Sequence, residues 1–152
     1  MDVKQALADL TEISSQIEVA AVFDDQGKIA GSTLADSVRS EALVQAARRL
    51  LAAADELGPG GSPLTQLEVA TREGSVFVVR DGKTAIAATT GGNPTVGLVF
   101  YDLKSALRSA KTAKKSAATK KATTARKKTT AASAKKKTAA RKPPQRKKPD
   151  AS

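Results

Sequence analysis

Hydrophobic residues recur at helical spacing in three stretches of the chain. The first stretch follows Asp2, a helix-capping residue, and ends near Ser14. The second spans residues 38–57. The third begins at Asn93-Pro94, where we predict Asn93 as the N-cap and Pro94 as the first helical residue. Because apolar residues at i, i+3, i+4 and i+7 share one face of a helix, the pattern predicts three amphipathic helices.

Short apolar runs separated by turn residues lie between these helical stretches. The runs at residues 19–23 and 28–32 flank a turn, and we predict a β-hairpin in which Gly27 adopts a positive φ. The connections between the next three runs are too short for a crossover, which predicts an antiparallel meander of residues 66–72, 75–80 and 84–90. The predicted order α-β-β-α-β-β-β-α is that of an α+β domain with an antiparallel sheet over residues 1–110.

The helix predicted at residues 38–57 has an apolar surface of about 200°, twice the width that a one-sided surface helix needs. Two interpretations are open. The helix is either a small alanine-rich element sunk deep in the core, or it contacts its own sheet on one side and a partner on the other. We favour the second interpretation and predict a homodimer, with a dimer interface formed by Leu43, Ala46, Ala47, Leu50 and Ala54.

Charge divides the chain into two regions. The overall net charge is +11, but residues 1–110 carry 10 Lys/Arg and 14 Asp/Glu, whereas residues 111–152 carry 16 Lys/Arg and a single acid, Asp150. Every Leu, Ile, Val, Phe and Tyr precedes Lys111. A segment without large apolar side chains cannot offset the entropy of ordering, so we predict a disordered, cationic tail over residues 111–152.

A polycation of this density predicts a polyanionic partner. Lys outnumbers Arg by 13 to 3 in the tail and aromatic residues are absent, which favours point-charge contacts to phosphate over base reading or base stacking. We therefore predict non-specific binding to nucleic acid, with duplex DNA as the favoured form. An acidic protein and an anionic membrane are the alternatives, and membrane attachment without an apolar anchor would be weak. The predicted nucleic-acid contacts are Lys111, Lys114, Lys115, Lys120, Lys121, Arg126, Lys127, Lys128, Lys135, Lys136, Lys137, Arg141, Lys142, Arg146, Lys147 and Lys148.

The composition offers little chemistry for catalysis. The chain has no Cys and no His, which removes thiol nucleophiles, the usual zinc ligands and imidazole acid–base catalysis. We interpret Asp24-Asp25 as turn residues and Thr89 to Asn93 as a loop with a helix cap. We expect no catalytic residues, no metal site, no cofactor and no enzymatic activity. The chain shows neither a signal-peptide pattern nor an apolar run long enough to span a membrane, so we expect no membrane insertion and a cytoplasmic, nucleoid-associated protein.

The order of elements, together with the segment Ala20-Ala21-Val22-Phe23-Asp24-Asp25-Gln26-Gly27-Lys28-Ile29-Ala30, resembles the roadblock domain family. These are the bacterial and eukaryotic relatives of the roadblock dynein light chain. The resemblance covers roughly residues 3–110 and continues through Leu67-Glu68-Val69-Ala70, Ser75-Val76-Phe77-Val78-Val79 and the helix after Asn93. The spacing of the elements carries the match, because no single motif is diagnostic.

The resemblance implies a homodimer in which the second helix pairs across a two-fold axis and the sheets join edge to edge. It also implies a platform or regulator for small Ras-like GTPases. The basic segment instead resembles the lysine-rich tails of linker histones and bacterial histone-like proteins. Two functions are therefore expected: a dimeric platform that delivers cationic tails to DNA, or a small-GTPase regulator whose tail serves only localisation.

Overall fold

A computed structural model of the protein describes residues 2–58 and 60–115. In that part of the chain, three helices and five strands follow the predicted order, which confirms the α+β interpretation. The strands form one antiparallel sheet of order β2-β1-β5-β4-β3. The elements are α1 (Val3–Ile13), β1 (Ile17–Asp24), β2 (Ile29–Ser32), α2 (Ser37–Leu57), β3 (Gln66–Ala70), β4 (Ser75–Asp81), β5 (Thr84–Thr90) and α3 (residues 96–115).

The central strands are buried on both faces. Successive side chains of a strand point to opposite sides, so Val22 and Ile86 join one core while Phe23 and Ala87 join another. The first core is completed by α1 and α3, through Leu7, Leu10, Val99, Leu103 and Leu107. The second is completed by α2, through Val44, Ala47 and Leu51. The domain therefore has three layers, with two helices on one face of the sheet and α2 on the other.

The predicted Asp2 cap and the predicted hairpin turn are present, and Asp36, which was not predicted, caps α2. The Asp2 carboxylate accepts the N–H of Val3 at 2.7 Å and begins α1. The Asp36 carboxylate begins α2 by accepting two backbone N–H groups. In the β1–β2 hairpin, Asp24 Oδ1 accepts two backbone N–H groups of the turn, and Gly27 has a φ of +84°. This geometry agrees with the turn interpretation of the Asp24-Asp25 pair.

The start of α3 differs from the prediction. Asn93 has a φ of +57°, in the left-handed region that Asn tolerates, so it turns the chain and does not cap the helix. Thr95 takes the cap position: its carbonyl accepts the N–H groups of Leu98 and Val99. Its own N–H donates to Oε1 of Gln16 at 2.6 Å, which ties the start of α3 to the end of α1.

The helix α3 also continues past the predicted domain boundary at 110, and the described residues of α3 reach residue 115. In this part of α3 the buried side chains are alanines, Ala110 and Ala113, which continue the buried face of the helix without larger apolar residues. Lys111 forms an ion pair with Asp81, Nζ to Oδ2 at 2.5 Å, and this fixes the same turn against the β4–β5 hairpin. The rest of the segment predicted to be disordered, residues 116–152, lies outside the described residues.

Gly74 offers a test of this packing. A Cβ at this position would clash with the carbonyl oxygen of Thr90, an atom of the backbone that cannot move without disturbing β5. We expect Gly74→Ala to lower the free energy of unfolding by about 1–3 kcal/mol, as overpacking does in well-packed sites. Urea denaturation measures the effect.

Gly92→Ala is the matched control, because a Cβ at Gly92 has no atom within 4 Å. It should leave the urea midpoint nearly unchanged or raise it slightly through the smaller entropy of the unfolded chain. Equal losses in the two variants would contradict the role assigned to Gly74.

Candidate interaction surfaces

The inner face of α2 is committed to the sheet. Ser40, Val44, Ala47 and Leu51 are buried and follow one another at steps of four, three and four residues. Ala47 is 0% exposed, so it has no surface to offer a partner. The prediction that placed Ala47 in a dimer interface is therefore corrected: the wide apolar arc of α2 includes its own core face, and Ala47 lies on that face.

The outer face of α2 carries a separate apolar line. Its members are also spaced three and four residues apart, the spacing of the a and d positions of a coiled coil. The leucine nearest the C-terminal end is 86% exposed, the two alanines are exposed, and the other two leucines are half-buried. We call this set the α2 seam: Leu43, Ala46, Leu50, Ala53 and Leu57.

Three of the five predicted interface residues, Leu43, Ala46 and Leu50, belong to the α2 seam, and Ala54 is half-buried beside it. Sequence reasoning missed Ala53 and Leu57. The repeat of Leu at every seventh residue, with Ala between, was the signal that could have found them. Exposed polar residues follow the side of the seam that faces away from the sheet: Gln45, Arg49 and Glu56. An apolar line with a polar rim is the composition of a protein interface.

A bidentate ion pair anchors the C-terminal end of α2 to the sheet. Arg80 of β4 donates from Nη1 to Oδ2 of Asp55 at 2.9 Å and from Nη2 to Oδ1 at 2.7 Å. Asp55 Oδ1 also accepts the N–H of Leu64, and Arg80 Nε donates to the Leu64 carbonyl, both at 2.8 Å. The hydrogen bonds from Arg80 and from the Leu64 backbone lower the pKa of Asp55 from 3.8 to about 2. The pair therefore fixes α2, β4 and the loop before β3 relative to one another.

A cavity of about 300 Å³ lies beside this ion pair, between α2 and the turns at the ends of β1 and β4. Its walls mix both signs of charge, with three acids and three bases: Asp24, Asp25, Asp55, Arg48, Arg80 and Lys83. Because Arg80 and Asp55 already satisfy each other, the cavity presents no concentrated charge of one sign. Within residues 2–58 and 60–115, His, Cys, Asp and Glu form no group of three that could hold a metal ion.

The structure places the first three predicted nucleic-acid contacts, residues 111, 114 and 115, on α3. Lys111 is paired with Asp81, and Lys114 is exposed; Lys115 is exposed too. The other predicted contacts, from Lys120 to Lys148, lie outside the described residues. No helix in the described part of the chain combines the length and the apolar character needed to cross a membrane.

Comparison with solved structures identifies the fold. The Roadblock/LC7 domain from Streptomyces avermitilis superposes with a TM-score of 0.66 at 16% identity, over 73% of this chain and 96% of that one. Myxococcus xanthus MglB superposes with a TM-score of 0.59 at 16% identity, over 70% of this chain and 89% of that one. An MglB with a tetrameric arrangement gives 0.56 at 14% identity, over 73% and 87% of the two chains.

The domain therefore has the roadblock/LC7 fold, as the order of its elements led us to expect. No protein-family model and no curated protein sequence matches the chain. At these identities the likeness concerns the path of the backbone.

The Asp55–Arg80 pair makes the stability of the domain depend on pH within a defined acidic range. The pKa of Asp55 is lower in the folded state, so its carboxylate stabilises the fold fully above 3.8, and this contribution is lost as the pH falls from 3.8 toward 2. We expect Asp55→Asn to melt at a lower temperature than wild type at pH 7, and the difference to shrink across that interval. Thermal melts followed by circular dichroism measure both.

Glu56→Gln, the neighbouring exposed position on α2, is the matched control and should melt like wild type at each pH. A difference between Asp55→Asn and wild type that stays constant from pH 7 to pH 2 would contradict the assignment.

Proposed function

We propose that the chain is a non-catalytic, homodimeric scaffold that binds and regulates a small Ras-like GTPase. The α2 seam is the observation that carries this proposal. It leaves apolar side chains in water on a helix that is otherwise well anchored, and full burial of one leucine contributes about 1.5–3 kcal/mol. A surface of this kind on a rigid element is suited to a protein partner.

A second copy of the chain is the partner that the α2 seam fits best. In a two-fold dimer the same line of residues meets itself, and a leucine–alanine repeat with steps of three and four lets large side chains of one helix pack against small ones of the other. A solved MglB with the same fold has a tetrameric arrangement, which supports self-association as a property of the architecture.

Regulation of a GTPase is consistent with the lack of catalytic groups. The chain has no Cys or His, and Asp24 and Asp55 are occupied with turn and ion-pair hydrogen bonds. A protein without its own nucleophile can still change GTP hydrolysis by ordering the catalytic residues of the GTPase. The resemblance of the sequence to roadblock domains and the fold shared with MglB support this class of partner.

Ala46→Glu tests the dimer and the function together. Ala46 is exposed on the α2 seam, so the variant should fold normally, but each copy would place an unpaired charge in the apolar interface. We expect the wild type to sediment as a dimer at tens of micromolar and the variant as a monomer. In single-turnover assays with a panel of purified Ras-like GTPases from the same genome, wild type should change the hydrolysis rate of one member, and the variant should lose most of that effect.

Ala52→Glu is the control, because Ala52 is exposed on the same helix but lies off the seam. It should remain dimeric and active. A wild type that sediments as a monomer would refute the interface, and a dimer that changes no GTPase of the panel would refute the function while leaving the interface intact.

The cationic segment supports a second function, non-specific binding to nucleic acid. Sixteen basic residues and one acid in residues 111–152 favour phosphate over other partners. Residues 1–115 form one compact unit, which a truncation after Lys115 keeps whole, and they hold 13 Lys/Arg against 14 Asp/Glu.

We expect the full chain to bind duplex DNA with log K falling against log salt at a slope near −7, if about half of the sixteen cations meet phosphates. Truncation after Lys115 should abolish binding near physiological salt, because the remaining domain is almost neutral. Fluorescence anisotropy of a labelled duplex measures both quantities.

A scrambled segment of the same composition is the control for sequence reading and should bind as the native one does. If the truncated domain bound the duplex as strongly as the full chain does, the cationic segment would not be the nucleic-acid-binding part of the protein.

A further inference from the structure

A groove of about 290 Å³ runs between α1 and α3, on the face of the sheet opposite α2. The two helices run antiparallel: Gln16, just after α1, binds Thr95 at the start of α3, whereas Val3 at the start of α1 lines one cavity together with Ala110 near the end of α3. Side chains at helical spacing on both elements line the groove.

Asp102 lies in the wall of this groove and is 7% exposed. Its carboxylate has no hydrogen bond and no ion pair with any described residue. The side-chain oxygens of Asp102 are not fully enclosed, so they are open to a cation that enters the groove. A second carboxylate, Asp9, lines the groove as well and accepts only the Gln5 amide, at 2.8 Å. The groove-lining residues of the described chain include no Lys or Arg.

The rim of the groove is apolar and exposed. Tyr101 is 69% exposed and Ile13 is 75% exposed, and both line the groove. Leu98, one turn before Tyr101 on α3, is half exposed. An apolar rim above a carboxylate in the groove wall matches the side chain of Arg or Lys, whose methylene stem packs on apolar surface while its charged end reaches the acid. A tyrosine ring adds a favourable contact for such a cation.

We propose that the α1–α3 groove binds an arginine or lysine side chain of a protein partner, flanked by apolar residues, with Asp102 as the counter-charge. This site is independent of the α2 seam, because the two lie on opposite faces of the sheet. A dimer formed through α2 would therefore leave the groove of each copy open for a different partner.

The sequence provides a local probe for this site. Tyr101 is the single tyrosine of the chain, and there is no tryptophan, so intrinsic fluorescence reports the groove alone. We expect an acetylated and amidated Leu-Arg-Leu peptide, added to the full chain at physiological salt, to produce a saturable fluorescence change. The same peptide with neutral citrulline in place of arginine should bind about tenfold more weakly or not at all, since it loses a charge-assisted pair.

Asp102→Asn should weaken the arginine peptide by a similar factor while its melting temperature stays at or above that of wild type, because the carboxylate has no internal partner to lose. Glu12→Gln removes the same charge from the exposed side of α1 and should bind as wild type does. As an independent variant, Ser105→Arg places a cation one turn after Asp102 and should block the peptide by occupying the groove.

Three results would overturn the proposal. They are equal binding of the arginine and citrulline peptides, unchanged binding by Asp102→Asn, and a marked loss of melting temperature in Asp102→Asn, which would reveal an internal role for the carboxylate. Calcium chloride gives the remaining arm: a saturable tyrosine change with calcium alone, abolished in Asp102→Asn, would assign the groove to a metal ion instead of a side chain.

Discussion

The sheet must be covered on both faces, but its two faces are covered by different numbers of helices. The rest of the structure depends on this difference. Ala20 to Phe23 in β1 and Ala85 to Ala88 in β5 are buried at every position, so neither face can be left to water. Five strands span about 20 Å, whereas one helix covers about 10 Å. Two helices cover one face in the described chain, and α2 alone covers the other. The deficit on the α2 side is visible in Leu67 and Val76, which pack on that core but remain only partly buried.

This deficit gives the α2 seam a physical origin. A second helix lying beside α2 would complete the layer that one helix cannot fill. The central strands carry alanines on this side of the sheet. Because these side chains are small, the backbone of a covering helix can lie close to the strands. The Asp55–Arg80 pair then sets the orientation of α2 at its C-terminal end, where the exposed Leu57 completes the seam. The core packing, the ion pair and the proposed interface thus all contribute to covering the α2 face of the sheet.

The sequence predicted the elements well where local signals and tertiary packing agree. Residues 84–90 were predicted as a strand and β5 has those bounds, and Gly27 takes the positive φ that its turn requires. The prediction was wrong at Asn93, where two cap residues compete and the hydrogen bond from Thr95 to Gln16, far apart in sequence, decides between them. The predicted boundary at residue 110 also lies too early. Near residue 111 the sequence is rich in alanine and lysine, a composition that suits both a disordered tail and a helix that packs through alanine.

The surfaces were harder to predict than the elements, for a related reason. Periodicity shows that a residue is apolar and on a given side of a helix, but it cannot tell whether the sheet or a partner covers it; Ala46 and Ala47 differ in this respect although they are adjacent and identical. Asp102 illustrates the converse. A single acid within an amphipathic helix is expected to face solvent, but the packing of α1 against α3 places Asp102 in the wall of a groove, with only 7% of the residue exposed. Asp102 thereby gives the groove wall a carboxylate that can pair with a cationic side chain. An apolar residue at the same position could pack between α1 and α3 equally well, whereas only a carboxylate can pair with a cation that enters the groove.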